Sequence, residues 1–315
     1  MNIVVTGCAG FIGVNFSTYL IDRYPADRVI GIDSLTYAAN LDALAELSAR
    51  EGFCFYKADI CDEAAIEAIF ALEKPDIVVN FAAESHVDRS LSNPDIFMRT
   101  NVQGTAVLLD AAARHGVQHF HQISTDEVYG DMPLDSTDKF TESSPLNPTS
   151  PYSLSKARAD MIVLSYGDRL GIDVSISRST NNFGPYQHIE KLIPMSIDRL
   201  LSHLPVPIYG DGSNMRDWLY VLDHCAAVDL IIRAGKCGIY NVGASNEWAN
   251  IDLIKKIITL IGIPNAEMIF VEDRKNHDRR YPVSCEKIKV ELGWAPEADF
   301  ESMLKYTVEW YRGRR

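Results

Sequence analysis

The sequence has no apolar run long enough to span a membrane and no basic stretch ahead of Met1-Asn2-Ile3-Val4-Val5, so neither a membrane helix nor a signal peptide is expected. Cysteine is sparse. Cys8, Cys54, Cys61, Cys225, Cys237 and Cys285 show no CxxC spacing, which argues against zinc and a disulfide framework and fits a reducing cytoplasm. No metal site is expected. Positive charge is also short: 30 Lys and Arg against 43 Asp and Glu leave a net charge of −13, which argues against nucleic acid as a partner. An anionic small substrate fits only where local cations work against that field. Repeats, low-complexity tracts and an evident linker are absent too. The rest is ordinary for a globular protein, 47% apolar and 23% charged, and 315 residues suffice for two domains or one large one.

The chain opens as a buried strand, Asn2 to Thr6, followed at once by Gly7-Cys8-Ala9-Gly10-Phe11-Ile12-Gly13 and a helical pattern to about Arg23. Glycines spaced G-x-x-G-x-x-G make a tight strand-to-helix turn that a pyrophosphate can approach, and the helix N-terminus adds free N–H groups and a favourable dipole. A glycine triplet alone is a weak signal. Here a second strand, Arg28 to Ile32, ends at Asp33, 20 residues after Gly13. An acid at that distance suits the ribose hydroxyls of NAD and repels the 2′-phosphate of NADP. The alternation continues with a strand from Phe53 to Ala58, ending at Asp59-Ile60 where an adenine has room. A helix from Asp62 to Leu72, a strand from Asp76 to Ala82, one long helix from about Pro94 to His115 and a strand from His119 to Ile123 follow. This pattern predicts an α/β fold on a Rossmann-type doubly wound parallel sheet. The proline-rich loop from Pro133 to Pro151 reads as a lid over the site.

Where the strand ending at Ile123 gives way to a loop stands Ser124-Thr125-Asp126-Glu127-Val128-Tyr129-Gly130. Two solvated loop acids are the ordinary case for an Asp-Glu pair. At the carboxyl end of a strand in a doubly wound sheet, where ligands bind, the pair reads instead as an acid and a base in one site. Next, Pro151-Tyr152-Ser153-Leu154-Ser155-Lys156 opens a helix running to about Leu170. Tyr152 and Lys156 are four apart and share a face, and the ammonium is expected to lower the tyrosine pKa toward that of a general base. Past Asn181 the alternation lapses. Lys191, Arg216, Arg274 and His277 are the cations a diphosphate needs, and the segment Asp273 to Tyr281 sets four Arg or Lys against two Asp. Amphipathic helices at Asn250 to Gly262, Glu286 to Leu292 and Phe300 to Tyr311 are expected to cover this half.

The glycine loop and Tyr152-x-x-x-Lys156 on such a sheet resemble the extended short-chain dehydrogenase/reductases. Within them, Ser124 to Gly130 is similar to the signature of the nucleotide-sugar 4,6-dehydratases. The likeness runs along essentially the whole chain: Asp33-Ser34-Leu35-Thr36-Tyr37-Ala38-Ala39-Asn40, Ala82-Ala83-Glu84-Ser85-His86-Val87-Asp88-Arg89-Ser90, Asn181-Asn182-Phe183-Gly184-Pro185-Tyr186, Glu190-Lys191-Leu192-Ile193-Pro194, Arg216-Asp217-Trp218-Leu219-Tyr220-Val221 and His277-Asp278-Arg279-Arg280-Tyr281. Epimerases and decarboxylases of the superfamily usually carry small hydroxyl residues in place of Asp126 and Glu127. A non-catalytic NAD sensor on this fold would lack Tyr152 or Lys156.

The resemblance implies NAD as a tightly held cofactor. Its contacts would be Gly7, Gly10, Phe11, Ile12, Gly13, Asp33, Ser34, Leu35, Thr36, Asp59 and Ile60, with Phe81, Ala82, Ala83, Thr100, Tyr152, Lys156 and Asn182. It implies dehydration of dTDP-glucose, with UDP-glucose as the alternative. Substrate contacts would come from Ser85, Thr125, Asn181, Lys191, Leu192, Pro207, Tyr209, Arg216, Asn250, Arg274, His277 and Tyr281, with Tyr209 stacked on the base. Tyr152, supported by Lys156, would be the base at the sugar 4-hydroxyl, Thr125 would place that oxygen, Glu127 would be the base at C5 and Asp126 the acid at the C6 hydroxyl. A homodimer through a four-helix bundle of the helices at Pro94 to His115 and Pro151 to Leu170 is implied as well. The expected division is an NAD-binding domain at 1–182 plus 217–245 and a smaller, discontinuous α/β substrate domain at 183–216 plus 246–315. Departures are few: Ser34 where lysine is common, Ala39 where glycine is common, and Lys275-Asn276 where Pro-Gly would form a rigid turn beside Arg274 and His277.

Overall fold

Apolar side chains alternate across the first strand, β1 (Asn2–Thr6): Ile3 and Val5 join one buried cluster and Val4 another. A strand buried on both faces belongs to a covered parallel sheet. The computed structural model describes residues 1–274 and 277–314, so Lys275-Asn276 lie outside the described residues.

After β1 come α1 (Phe11–Arg23), β2 (Arg28–Asp33), α2 (Leu41–Ser48), β3 (Phe53–Lys57), α3 (Glu63–Glu73) and β4 (Ile77–Asn80). Next are α4 (Val87–Ser92), α5 (Pro94–Phe97), α6 (Thr105–His115), β5 (His119–Thr125), α7 (Pro151–Leu170) and β6 (Asp173–Ser179). The chain goes on through β7 (Asn181–Phe183), α8 (Leu192–Leu201), β8 (Val206–Tyr209), β9 (Met215–Tyr220), α9 (Val221–Arg233) and β10 (Gly238–Val242). It ends with β11 (Glu247–Ala249), α10 (Asn250–Ile261), β12 (Met268–Val271), α11 (Glu286–Leu292) and α12 (Phe300–Gly313).

Seven strands form one sheet in the order β10-β6-β5-β4-β1-β2-β3, every neighbouring pair parallel. Phe16 and Leu20 of α1 with Val228 and Ile232 of α9 cover one face, and Phe70 of α3, Leu108 of α6 and Val163 of α7 cover the other. This is the Rossmann-type doubly wound sheet that the alternation predicts. Strand order reverses between β1 and β4, so a crevice opens at their carboxyl ends, where open α/β sheets bind ligands. A three-stranded sheet, β11-β9-β7, and a two-stranded pair, β12-β8, stand beside it, packed against Ile193, Ile257 and Leu304 of α8, α10 and α12. From β9 the chain passes through α9 back into the main sheet as β10.

The expected single helix from Pro94 to His115 is interrupted. Between α5 and α6 a wider π-helical segment runs from Met98 to Gly104. It carries buried Asn101, whose Nδ2 donates to the Glu84 carbonyl at 3.0 Å and to Ser155 Oγ at 2.8 Å, while Oδ1 accepts from the Glu84 N–H at 2.9 Å. Such bulges cluster near functional sites. β5 also runs two residues further than expected, because its pairing with β6 continues through Ser124–Arg178 and Thr125–Ser179. The loop from Pro133 to Pro151 is tied down along its length. Phe140 stacks on Tyr129 at 5.1 Å and exchanges backbone bonds with Pro282 and Ser284. Among the described residues no helix is long and apolar enough to cross a membrane.

Candidate active site

β5 delivers Thr125 to the crevice, and a one-turn 3-10 helix from Asp126 to Tyr129 starts at once. Thr125 caps that turn: its Oγ1 accepts from the Glu127 N–H at 3.3 Å and donates to Asp126 Oδ1 at 3.2 Å. Opposite, Ser150 and Ser153 form a reciprocal capping box at the start of α7, with Pro151 in the first turn. That fixed start aims Tyr152 and Lys156 inward, where both are buried.

The two acids sit in unequal fields. Burial pushes the Asp126 carboxyl well above its ordinary range, and the Glu127 and Asp217 carboxyls push it further. Its Oδ2 is buried with no hydrogen-bond partner among the described residues. Burial raises Glu127 as well, but Arg216, Lys191 and Arg274 pull it back against Asp278. Neighbouring carboxyls whose environments push them apart divide the roles of acid and base. Both carboxyls are raised, Asp126 the further, which suits Asp126 to hold a proton and Glu127 to lose one.

The expected lowering of the Tyr152 pKa is not found. Burial, and then the Glu127 carboxyl, raise the phenol above its ordinary value, against a hydrogen bond from Thr125 that favours the phenolate. Lys156 spends an N–H on the Ile123 carbonyl at 2.5 Å, and burial pushes its own pKa down to about 8 against the pull of Asp160. Desolvation outweighs the neighbouring charge at Lys156, and at Tyr152 the neighbouring carboxyls act in the same direction as desolvation.

A cavity of about 270 Å³ runs over the glycine loop and is lined by Gly7, Gly10, Phe11, Ile12, Gly13, Phe81, Ala83, Thr125, Asp126, Tyr152, Lys156 and Asn182. A Cβ at Gly13 would lie 2.1 Å from the Gly7 carbonyl oxygen, so only glycine permits this turn. Gly10 caps α1 with no side-chain bond and no acid in the first turn, which leaves the end amides open to an anion. Asp33, Ser34, Leu35, Thr36, Asp59, Ile60, Ala82 and Thr100 are not part of that lining. Asp33 accepts from the Ala9 and Leu35 amides at 3.0 and 2.8 Å, and Asp59 pairs with Arg99 at 2.7 Å. The Asn182 amide is committed within the protein, donating to the Thr180 carbonyl at 2.9 Å and meeting His224 Nδ1 at 3.0 Å.

A second cavity, of about 330 Å³, is lined by Ser85, Asn181, Lys191, Leu192, Pro207, Tyr209, Arg216, Asn250, Arg274, His277 and Tyr281. All the expected substrate residues except Thr125 meet there. Lys191 Nζ donates to the Ser85 carbonyl at 3.0 Å, Arg216 lies over Tyr281 at 4.4 Å and Arg274 pairs with Asp88 at 2.9 Å. One face of Tyr209 carries the Arg274 guanidinium at 4.5 Å. Burial holds His277 below its usual range, and its Nδ1 meets Asp273 at 2.6 Å. Glu127 lines both cavities, with Ser85, Asn181, Gln187, Glu190 and Lys191. The acid pair thus stands where the two spaces join.

The sequence profile of the GDP-mannose 4,6 dehydratase family matches residues 4–307. The chain belongs to that family. It is 46% identical to a dTDP-glucose 4,6-dehydratase of Actinoplanes sp., over 100% of this chain and 99% of that one. It is also 46% identical to a low-salt glycan biosynthesis protein of Haloferax volcanii, over 99% of each. The dTDP-glucose 4,6-dehydratase of Streptomyces venezuelae, crystallised with NAD and a thymidine diphosphate ligand, superposes with a TM-score of 0.96 at 43% identity, over 100% of this chain and 98% of that one.

This member of the dehydratase family has further lining residues that sequence reasoning missed. His86, Asp88, Glu190, Trp218 and Asp278 stand in the stretches that carry the family resemblance, which was the available signal. Met195 and Arg199 follow Leu192 at i+3 and i+7, a helical spacing that marks a shared face. Gln187 lines both cavities and carried no signal in the sequence.

Proposed function

We propose that this protein dehydrates dTDP-glucose to dTDP-4-keto-6-deoxyglucose, with NAD as a catalytic cofactor regenerated in each turnover. The observation that carries this reading is the acid pair Asp126 and Glu127, unequal in environment, set beside Tyr152 and Lys156 where the glycine-loop cavity meets the cation-lined one. A simple dehydrogenase has no use for the pair. The narrow loop at Gly13 and the uncapped end of α1 fit the diphosphate of NAD.

When bound, NAD would supply a hydride acceptor that takes the C4 hydride and returns it to C6, and a positively charged ring. The Lys156 ammonium and that positive ring would favour the Tyr152 phenolate against the burial that disfavours it, and that phenolate takes the proton of the sugar 4-hydroxyl. Thr125 Oγ1 hydrogen-bonds the same oxygen and places it. Oxidation at C4 makes the C5 proton acidic, and the Glu127 carboxylate takes it. Asp126 gives its proton to the C6 hydroxyl, which departs as water. Glu127 then returns a proton to C5. Lys191, Arg216 and Arg274 hold the diphosphate, and Asn181, Asn250 and Tyr209 the sugar and nucleoside.

The division into an NAD-binding unit, 1–182 plus 217–245, and a substrate-binding unit, 183–216 plus 246–315, is part of this proposal, supported by the return of β10 to the main sheet. So is a homodimer through the helices of the Pro94–His115 run and α7, on which Ile96, Leu154 and Met161 stand exposed. A cytoplasmic setting is supported by six free cysteines. The test is a paired assay with dTDP-glucose and UDP-glucose, no reductant added, following the 4-keto-6-deoxy product. Turnover of dTDP-glucose well above UDP-glucose is expected. No keto product from either would overturn the reading.

A further inference from the structure

The cation-lined cavity continues along α8, away from the acid pair. Leu192, Met195 and Arg199 line it at i, i+3 and i+7, so one face of the helix forms the wall. At 1.5 Å per residue, Arg199 stands roughly 10 Å along the axis from Leu192. Lys191 caps the helix start, within the field of Arg274, and both share the field of Glu127, which lines the joint with the other cavity. Arg199 therefore marks the far end, about one nucleoside away from the phosphates.

Arg199 is held but not spent. Its Nε donates to the Pro205 carbonyl at 2.5 Å, and neither Nη has a partner among the described residues. Pro205 leads into β8, whose Pro207 and Tyr209 line the same cavity. A guanidinium is fixed to the wall through one N–H, in a cavity that Met195 and Pro207 also line. Guanidinium only donates, so its partner in this space has to be an acceptor. Thymine and uracil present carbonyl oxygens at both ends of their pairing edge. Cytosine replaces one of them with an amino group, itself a donor.

We propose that Arg199 is a specificity-determining residue, its Nη groups donating to the 4-carbonyl oxygen of the substrate's base and selecting thymine or uracil nucleotides, which carry that oxygen, over cytosine nucleotides, which carry an amino group there. This rests on reading the cavity as a nucleotide-sugar site. A purely structural role also exists, since Arg199 lies in the last turn of α8 and tethers the chain before β8. That role would change stability and leave base preference alone.

The experiment compares the full-length protein with its R199M and R199K variants. It reads kcat and KM for dTDP-glucose, the calorimetric Kd of dTDP and of dCDP, and a thermal melt. A charged hydrogen-bond donor removed from a desolvated site costs roughly tenfold or more in binding. R199M should raise the KM for dTDP-glucose and the Kd for dTDP by about that factor, keep kcat near the parent value, and narrow the dTDP to dCDP ratio equally. R199K, which keeps a donor and is the fallback if R199M folds poorly, should retain part of the preference. Equal weakening of both nucleotides, or of neither, would overturn the proposal. If the parent binds dTDP through Arg199 and does not turn over dTDP-glucose, the reaction assignment fails and the role of Arg199 stands.

Discussion

Asp126→Asn and Glu127→Gln should break the proposed reaction at two different places. Both changes keep side-chain size. Asp126 makes one hydrogen bond, at 3.2 Å to Thr125, and its other oxygen is buried without a partner, so an amide costs the fold little. What Asn lacks is a transferable proton. General acid catalysis contributes roughly 10²–10⁴-fold, so D126N should lose product formation by that factor, about 3–5 kcal/mol of barrier. Glu127 feels Arg216, Lys191 and Arg274, which hold back the rise that burial causes, and E127Q removes the proposed base. Neither change touches Tyr152 or Lys156, so oxidation at C4 should survive in both.

The assay runs single turnovers in deuterated water, following reduced cofactor by absorbance, C5 exchange by mass, and the keto product. D126N should accumulate reduced cofactor and exchange the C5 proton while releasing little product. E127Q should accumulate reduced cofactor with neither exchange nor product. Exchange lost in D126N and kept in E127Q would reverse the two roles. Parent-like product formation in both would remove the pair from the mechanism.

Three further outcomes follow from buried groups and the glycine turn. Burial lowers the Lys156 pKa from 10.5 to about 8, so between those values the unfolded chain holds more protons and stability rises with pH; relative to K156M the parent should gain about 3 kcal/mol across that window in denaturant melts, and a constant difference would refute it. His224 is pushed from 6.5 down to about 3 by burial, so as pH falls below 6.5 only the unfolded chain takes up its proton; the parent should lose about 1.4 kcal/mol per pH unit relative to H224Q, and parallel losses would refute it. At Gly13 an added Cβ would meet the Gly7 carbonyl oxygen at 2.1 Å, so G13A should weaken NAD binding at least tenfold by calorimetry, and parent-like affinity would show that the cofactor does not use this turn.

What the sequence made legible was local. A strand, three spaced glycines and a helix can be read without distant contacts, and so can Asp33 at the end of β2 and the Tyr152–Lys156 spacing on α7. The π-helical segment at Met98–Gly104 was not legible, because Asn101 answers to Glu84 and Ser155, 17 and 54 residues away. The Tyr152 pKa was read in the wrong direction for a related reason. Sequence supplies the neighbouring lysine, whereas the loss of water around both groups is a property of the packed structure, and it dominates. Arg199 had the helical spacing to be found, but nothing in its own surroundings marks it until Pro205 and the cavity are in place.

Which of the two acids is assigned which role comes from the resemblance alone, since adjacent residues of one chemical type look alike in a sequence. In the structure they are separated by other charges. Asp217 faces Asp126, and Lys191, Arg216 and Arg274 face Glu127. Those three cations are also the ones suited to a diphosphate, gathered against the field of a protein with net charge −13. The two tasks are therefore coupled. In the proposed reaction a diphosphate seated on these cations would offset the charge that pulls Glu127 down, so substrate binding would itself raise the basicity of the carboxylate assigned to the C5 proton. Before binding, burial raises the Glu127 carboxyl and the cations hold that rise back.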